Sequence, residues 1–82
     1  MEREAPQARI QHESAELMAR YPHISVCRAV LDEWQEGSER RYSLSLDIRG
    51  PQHQTLISGE AKASAAAAIG AAFKKARRRL QL

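Results

Sequence analysis

From Arg40 to Arg49 the chain alternates without a break. Tyr42, Leu44, Leu46 and Ile48 fall at every second position, with Arg41, Ser43, Ser45, Asp47 and Arg49 between them. A period of two puts the apolar side chains on one face of an extended backbone and the polar ones on the other. The run is therefore a strand with one face on a core and one face toward solvent. Everything else in the chain has to be arranged around that half-buried ribbon.

The flanking segments supply its neighbours. Gln35-Glu36-Gly37-Ser38-Glu39 reads as a turn before it and Gly50-Pro51-Gln52 as a turn after it. Ile24 to Glu33 reads as a strand with Cys27, Ala29 and Leu31 on one face and Val26, Arg28, Val30 and Asp32 on the other. A weaker third strand runs from Gln54 to Glu60, ending around Gly59. The connections are short enough for hairpins, so the three strands form an antiparallel meander. Ala8 to Tyr21 carries Ile10, Leu17, Met18 and Tyr21 at helical spacing, with small Ser14 between them. Pro22 stops that helix by disfavouring helical geometry at Tyr21. Ser64 is the expected N-cap of a last helix, in which Ala65, Ile69, Ala72, Phe73, Ala76 and Leu80 form the buried stripe. Gly70 interrupts its alanine-rich start and predicts a tight approach to another element. The expected architecture is α+β, a two-layer sandwich in the order α-β-β-β-α with both helices on one sheet face. Residues 1–7 are expected to be a flexible lead-in, with Pro6 suited to a first helical turn. Residues 8–82 are expected to form a single domain.

A chain of 82 residues has room for one domain with a modest core. No window approaches the apolar length of a membrane span, and Met1–Pro6 has no apolar stretch like that of a signal peptide. Its single cysteine, Cys27, cannot form an internal disulfide, so a cytoplasmic location is expected. No phosphate loop, dinucleotide turn or nucleophile elbow is present. His12, His23 and His53 are scattered over different elements and, with one cysteine, do not reach metal-ligand spacing. His12 and Glu13 are adjacent, hence on different helix faces. The expectation is a non-catalytic protein with no cofactor, no metal and no small-molecule substrate. Cys27 reads as a buried structural thiol, Tyr42 as core, and Trp34 as a cover for the rim of the core.

The charges are polarised. Residues 1–60 hold seven Lys/Arg and all ten Asp/Glu, whereas residues 61–82 hold six Lys/Arg and no acid. Cations near a helix C-terminus are favoured by its macrodipole, which offers a purely structural reason for them. On a helical wheel, however, Lys74, Lys75 and Arg78 point away from the buried stripe and Arg77 and Arg79 flank it. Such a face suits a polyanion. The open sheet face, with Arg28, Arg41, Ser43, Ser45 and Arg49, lacks the aromatic pair that stacks single-stranded bases. Recognition of folded RNA by shape and backbone is the better fit.

These segments together resemble a known family. Ile10, Leu17, Tyr21 and Ile24 lead into Cys27-Arg28-Ala29-Val30-Leu31 with the spacing of the first helix and following strand of the ribosome hibernation factors, the ribosome-associated translation inhibitor or sigma-54 modulation family. The run from Tyr42 to Ile48 followed by Gly50-Pro51 resembles that family's central strand and turn. The segment from Ala68 to Leu80, with Ala68-Ile69, Ala72-Phe73 and a basic run closed by leucine, resembles its last helix. The resemblance spans Arg9 to Leu80. It implies a βαβββα fold that binds the small ribosomal subunit through ribosomal RNA, in the channel between head and body, and silences idle ribosomes. It also implies that Lys74, Lys75, Arg78 and Arg79, bordered by Arg77, contact RNA, with Arg28 and Arg20 as secondary contacts.

The sequence departs from the family in three respects. Met1–Gln7, charged and containing Pro6, is a poor version of the strand that precedes helix one in the family. Its loss would leave the sheet short of a strand or leave another chain to complete it. Glu13 and Glu16 make helix one less basic than the pattern, and the C-terminal dimerisation domain of the long family members is not expected. Without the first strand the order becomes αβββα, that of double-stranded RNA-binding domains, although the lysines of those domains cluster at the start of the last helix. A third alternative is an interaction module whose exposed edge strand, Ile24–Glu33 or Gln54–Glu60, pairs with a partner or with a second copy.

Overall fold

A computed structural model describes residues 5–81 of the chain. It has the expected order: α1 (Pro6–Arg20), β1 (Val26–Glu36), β2 (Glu39–Arg49), β3 (Gln54–Ile57) and α2 (Ala65–Leu80). The sheet is antiparallel in the order β1-β2-β3, and both helices cover one face of it. No helix is long and apolar enough to cross a membrane among the described residues.

α1 begins earlier than its apolar spacing indicates. Ala5 is extended and accepts the first helical bond, from the Arg9 N–H at 3.0 Å, and Pro6 occupies N1. Proline suits that position because its fixed φ is already helical and its missing N–H would have had no partner. Pro6 and Gln7 thus belong to the helix and not to a lead-in; residues 1–4 of that expected segment lie outside the described residues. The helix ends where Pro22 requires, with Tyr21 at φ −123° and its N–H bonded to the Leu17 carbonyl.

β1 runs three residues past its expected end, because the connection to β2 is a two-residue turn. Gly37 has φ 63° and Ser38 does not share the positive φ, the pattern of a type II′ turn. That turn continues the pairing to Glu36 opposite Glu39 and keeps Trp34 in the strand opposite Arg41. Trp34 shares a face with Val30, so it lies on the open side of the sheet, 38% exposed, and does not cover the core rim. β3 is shorter than the expected Gln54–Glu60. The chain leaves the ladder after Ile57 and rejoins β2 at Lys62, which exchanges two backbone bonds with Tyr42 (2.9 and 2.7 Å). In between, Gly59 crosses so close to Ser43 that a Cβ there would stand 2.9 Å from the Ser43 Cβ. Only glycine permits that crossing, and it accounts for the burial of Ser43 on a face that is otherwise open.

The core lies between the sheet and α2. Leu44, Leu46 and Ile48 of β2 and Ile57 of β3 meet Ala68, Ile69, Ala72, Phe73 and Ala76. α1 adds Leu17, and the link into β1 adds Ile24. Tyr42 packs against this cluster as expected. The inner face of β1 is less covered: Cys27, Ala29 and Leu31 are only half-buried.

Candidate nucleic-acid interface

α2 positions the cations by burying its opposite side. The Ser64 hydroxyl accepts from the Ala67 N–H at 3.1 Å, the expected N-cap, and Ala65–Ala68 supply helix propensity. Burial of Ile69, Ala72, Phe73 and Ala76 then fixes the helix rotation. Lys74, Arg77, Arg78 and Arg79 are exposed, and Lys75 is half-buried.

Lys75 is held down by the loop between β3 and α2. Its Nζ lies 3.2 Å from a Glu60 carboxylate oxygen and donates to the Ser58 carbonyl at 3.4 Å. Lys62 approaches the other Glu60 oxygen at 3.4 Å. The hydrogen bond from Lys75, then its charge, then Lys62 hold the Glu60 carboxyl below its ordinary pKa. Lys62, Lys74, Lys75 and Arg78 therefore line one shallow cleft of about 360 Å³, floored by Gly70 and Ala71, with Glu60 as its carboxylate. By pairing with Lys75 and Lys62, Glu60 positions both side chains at the cleft while offsetting part of their charge.

Sequence reasoning missed two contributors. Lys62 precedes the N-cap, and the crossing at Gly59 and the bridge to Tyr42 bring it beside Lys74, Lys75 and Arg78 of α2. Arg9 reaches across from α1, its Nη2 standing 3.6 Å from where a Cβ on Gly70 would lie. That distance is ordinary contact with a side-chain tip. Gly70 therefore marks no tight backbone approach, and the glycine that does is Gly59.

The other candidate residues are dispersed. Arg79 follows Lys75 by one turn on α2. Arg77 turns toward α1, its guanidinium 4.0 Å from Glu13, and shares a mixed-charge groove with Arg20, Glu13 and Glu16. Arg28 lies on the far face of the sheet, opposite Asp47. Hydrogen bonds from Arg49 and Gln54, helped by the charges of Arg49 and Arg28, hold Asp47 below its ordinary pKa. The structure thus gathers Lys74, Lys75 and Arg78, leaves Arg79 and Arg77 at the margins, and separates Arg20 and Arg28 from them.

Cys27 sits under α1, where the Ser14 hydroxyl donates to its Sγ at 3.7 Å. Burial pushes the thiol pKa up against the lowering effect of that bond, which disfavours the reactive thiolate. No protein-family model matches the chain, and no curated protein or solved structure is significantly similar to it.

Proposed function

We propose that this domain is a non-catalytic RNA-binding protein that grips phosphates with the cleft beside α2, and that its target is the ribosomal RNA of the small ribosomal subunit. The observation that carries the reading is the convergence of Lys62, Lys74, Lys75 and Arg78, from two separate segments, on one open cleft. Cations fixed at this spacing replace the counterions condensed on a phosphate backbone, and the release of those counterions drives binding. Arg79 and Arg9 extend the positive surface along and across the helix. The ribosomal target and the modulation or silencing of translation rest on the sequence resemblance to the hibernation factors, and the cytoplasmic location on the single cysteine.

A second reading is duplex RNA in general. It is favoured by the αβββα order and by the position of Lys62 just ahead of the last helix. Co-sedimentation separates the two. Under the first reading the protein pellets with purified small subunits at low salt and is released as salt rises, with a log–log slope of about −3 to −4 for four phosphate contacts. Changing Lys74, Lys75 and Arg78 together to Gln abolishes the pelleting while the circular-dichroism spectrum stays unchanged. Pelleting that survives the triple change would sink the site. Tight binding to plain duplex RNA with none to subunits would favour the second reading.

A further inference from the structure

The free edge of β1 carries information that the cation cleft does not use. β1 is eleven residues long, contains no proline and, among the described residues, pairs on one side only. Edges of that length are normally shortened, bulged or covered. The orientation of its free groups follows from its neighbours. Tyr42 exchanges backbone bonds with Lys62, and the Gly50 N–H bonds to His53, so the even-numbered residues of β2 face β3 and the odd-numbered ones face β1. In the register of β1 on β2, each odd residue of β2 lies opposite an even residue of β1. The N–H and C=O groups of Cys27, Ala29, Leu31 and Glu33 consequently point away from the sheet at the open edge. Beside them lies an apolar groove of about 850 Å³, walled by Ile10, Ser14 and Met18 of α1 and floored by Cys27, Ala29 and Leu31.

We infer that β1 pairs antiparallel with β1 of a second copy, centred on Val30, to make a continuous six-stranded sheet. Hydrogen bonding restricts a symmetric pairing to registers in which odd residues face odd residues. Among these, centring on Arg28 or Asp32 sets like charges against each other. Centring on Ala29 places Arg28 opposite the partner's Val30, and centring on Leu31 places it opposite the partner's Trp34. Centring on Val30 sets Arg28 against the partner's Asp32 twice, by symmetry, and Val26 against the partner's Trp34 twice. Val30 then meets its own copy on the axis. These are the residues the monomer leaves uncovered: Val26 is 41% and Val30 56% exposed on the open face. On the inner face the partner's Leu31 stands opposite Ala29 and enters the groove below α1. Opposite charges and apolar pairs directly across strands stabilise pairing, and like charges oppose it. α2 and its cleft pack against β2 and β3, away from this edge, so the pairing leaves both clefts open and stands independently of the RNA reading.

The test is a mixing experiment by analytical ultracentrifugation. The wild-type chain should sediment as a concentration-dependent dimer. Arg28→Asp alone sets acid against acid across the axis, and Asp32→Arg alone sets base against base. Each should raise the dimer dissociation constant at least about tenfold. An equimolar mixture of the two variants restores both opposite-charge pairs and should form the heterodimer. Circular-dichroism melts of each variant separate loss of pairing from loss of folding. A second variant reads the register directly: in a Cys27→Ser background, Val30→Cys should form an intermolecular disulfide across the axis under mild oxidation, whereas Arg28→Cys should not. A wild-type chain that stays monomeric at all concentrations would overturn the inference. So would two folded charge variants that fail to associate when mixed, or cross-linking no better at position 30 than at position 28.

Discussion

The two helices do unequal work. α2 covers β2 and β3 with a stripe of five buried residues, from Ala68 to Ala76, with Ile69, Phe73 and Ala76 fully enclosed. α1 buries only Leu17, and between it and β1 an apolar groove stays open. Hydrophobic stabilisation scales with the apolar area taken from water, so the fold is held mainly by the α2 half. The α1 half retains uncovered apolar surface and free backbone groups, which suit a partner. A small domain has little core to spare, and this one concentrates it on the side that carries the cation cleft.

The sharpest way to break that comparison is to remove one side chain from each half. Phe73→Ala leaves a large void in the enclosed half and should cost about 3–5 kcal/mol, a large share of the stability of a domain of this size. Ile10→Ala trims the half-buried wall of the open groove and should cost only about 1 kcal/mol. Urea unfolding followed by circular dichroism gives both values. Similar losses would mean that the α1 half is as tightly packed as the α2 half.

Next in size is Gly59→Ala. The added methyl would press on the Ser43 Cβ at 2.9 Å and on the Leu44 backbone carbonyl carbon at 3.1 Å. Backbone and Cβ atoms of a central strand cannot swing aside as a side-chain tip can. The cost should be about 1–3 kcal/mol. Because Gly59 sets the path that brings Lys62 and Glu60 beside Lys75, polyanion affinity should fall with it. Gly70→Ala is the control: it meets only the tip of Arg9 at 3.6 Å and gains helix propensity, so it should be neutral or stabilising by up to about 1 kcal/mol.

These two glycines also show where the sequence is readable and where it is not. Local rules sufficed for β2, whose alternation is unbroken, for the stop at Pro22 and for the Ser64 cap. They sufficed too for Lys74 and Arg78, whose outward placement follows from the helical period alone. They failed where the outcome depends on what another segment does. Gly70 breaks a helical pattern and attracts notice, yet its surroundings are open; Gly59 sits in an unpatterned stretch, and its need for glycine arises from Ser43 on a different strand. Lys62 and Arg9 escape them for the same reason, since each comes beside α2 only through tertiary packing. Trp34 was assigned to the core rim because the strand was ended before it. Once the Gly37-Ser38 turn extends β1 to Glu36, the parity of Val26, Arg28 and Val30 carries Trp34 to the open face.

Ser64→Ala tests the start of the well-packed helix. Loss of the hydroxyl that accepts from Ala67 should cost about 1 kcal/mol, less than Phe73→Ala because the freed N–H can turn to water. Ser64→Asp should retain the cap and add a favourable negative charge at the helix N-terminus. If the alanine variant unfolds as late as the wild type, burial of the Ile69–Phe73 stripe alone sets the start of α2, and the enclosed half is even more dominant than the comparison suggests.

The smallest effect probes the outer margin of the same half, where Glu60 ties the β3–α2 loop to Lys75 and Lys62. Its pKa is lowered from an ordinary 4.5, first by the hydrogen bond from Lys75. A carboxyl that is more acidic folded than unfolded stabilises the fold above its unfolded pKa, and that contribution disappears as pH falls through the folded value. The difference in stability between the wild type and Glu60→Gln should therefore be constant near neutrality and shrink below about pH 4.5. Asp47 titrates in both proteins and cancels in the difference. Solvent surrounds Glu60, so the change should be slight and should fade in high salt. The same substitution removes the one carboxylate from the cleft. Near neutral pH, Glu60→Gln should then be slightly less stable and yet bind polyanions more tightly. A variant that lost both would show that Glu60 acts chiefly by positioning Lys75 and Lys62, with its charge secondary.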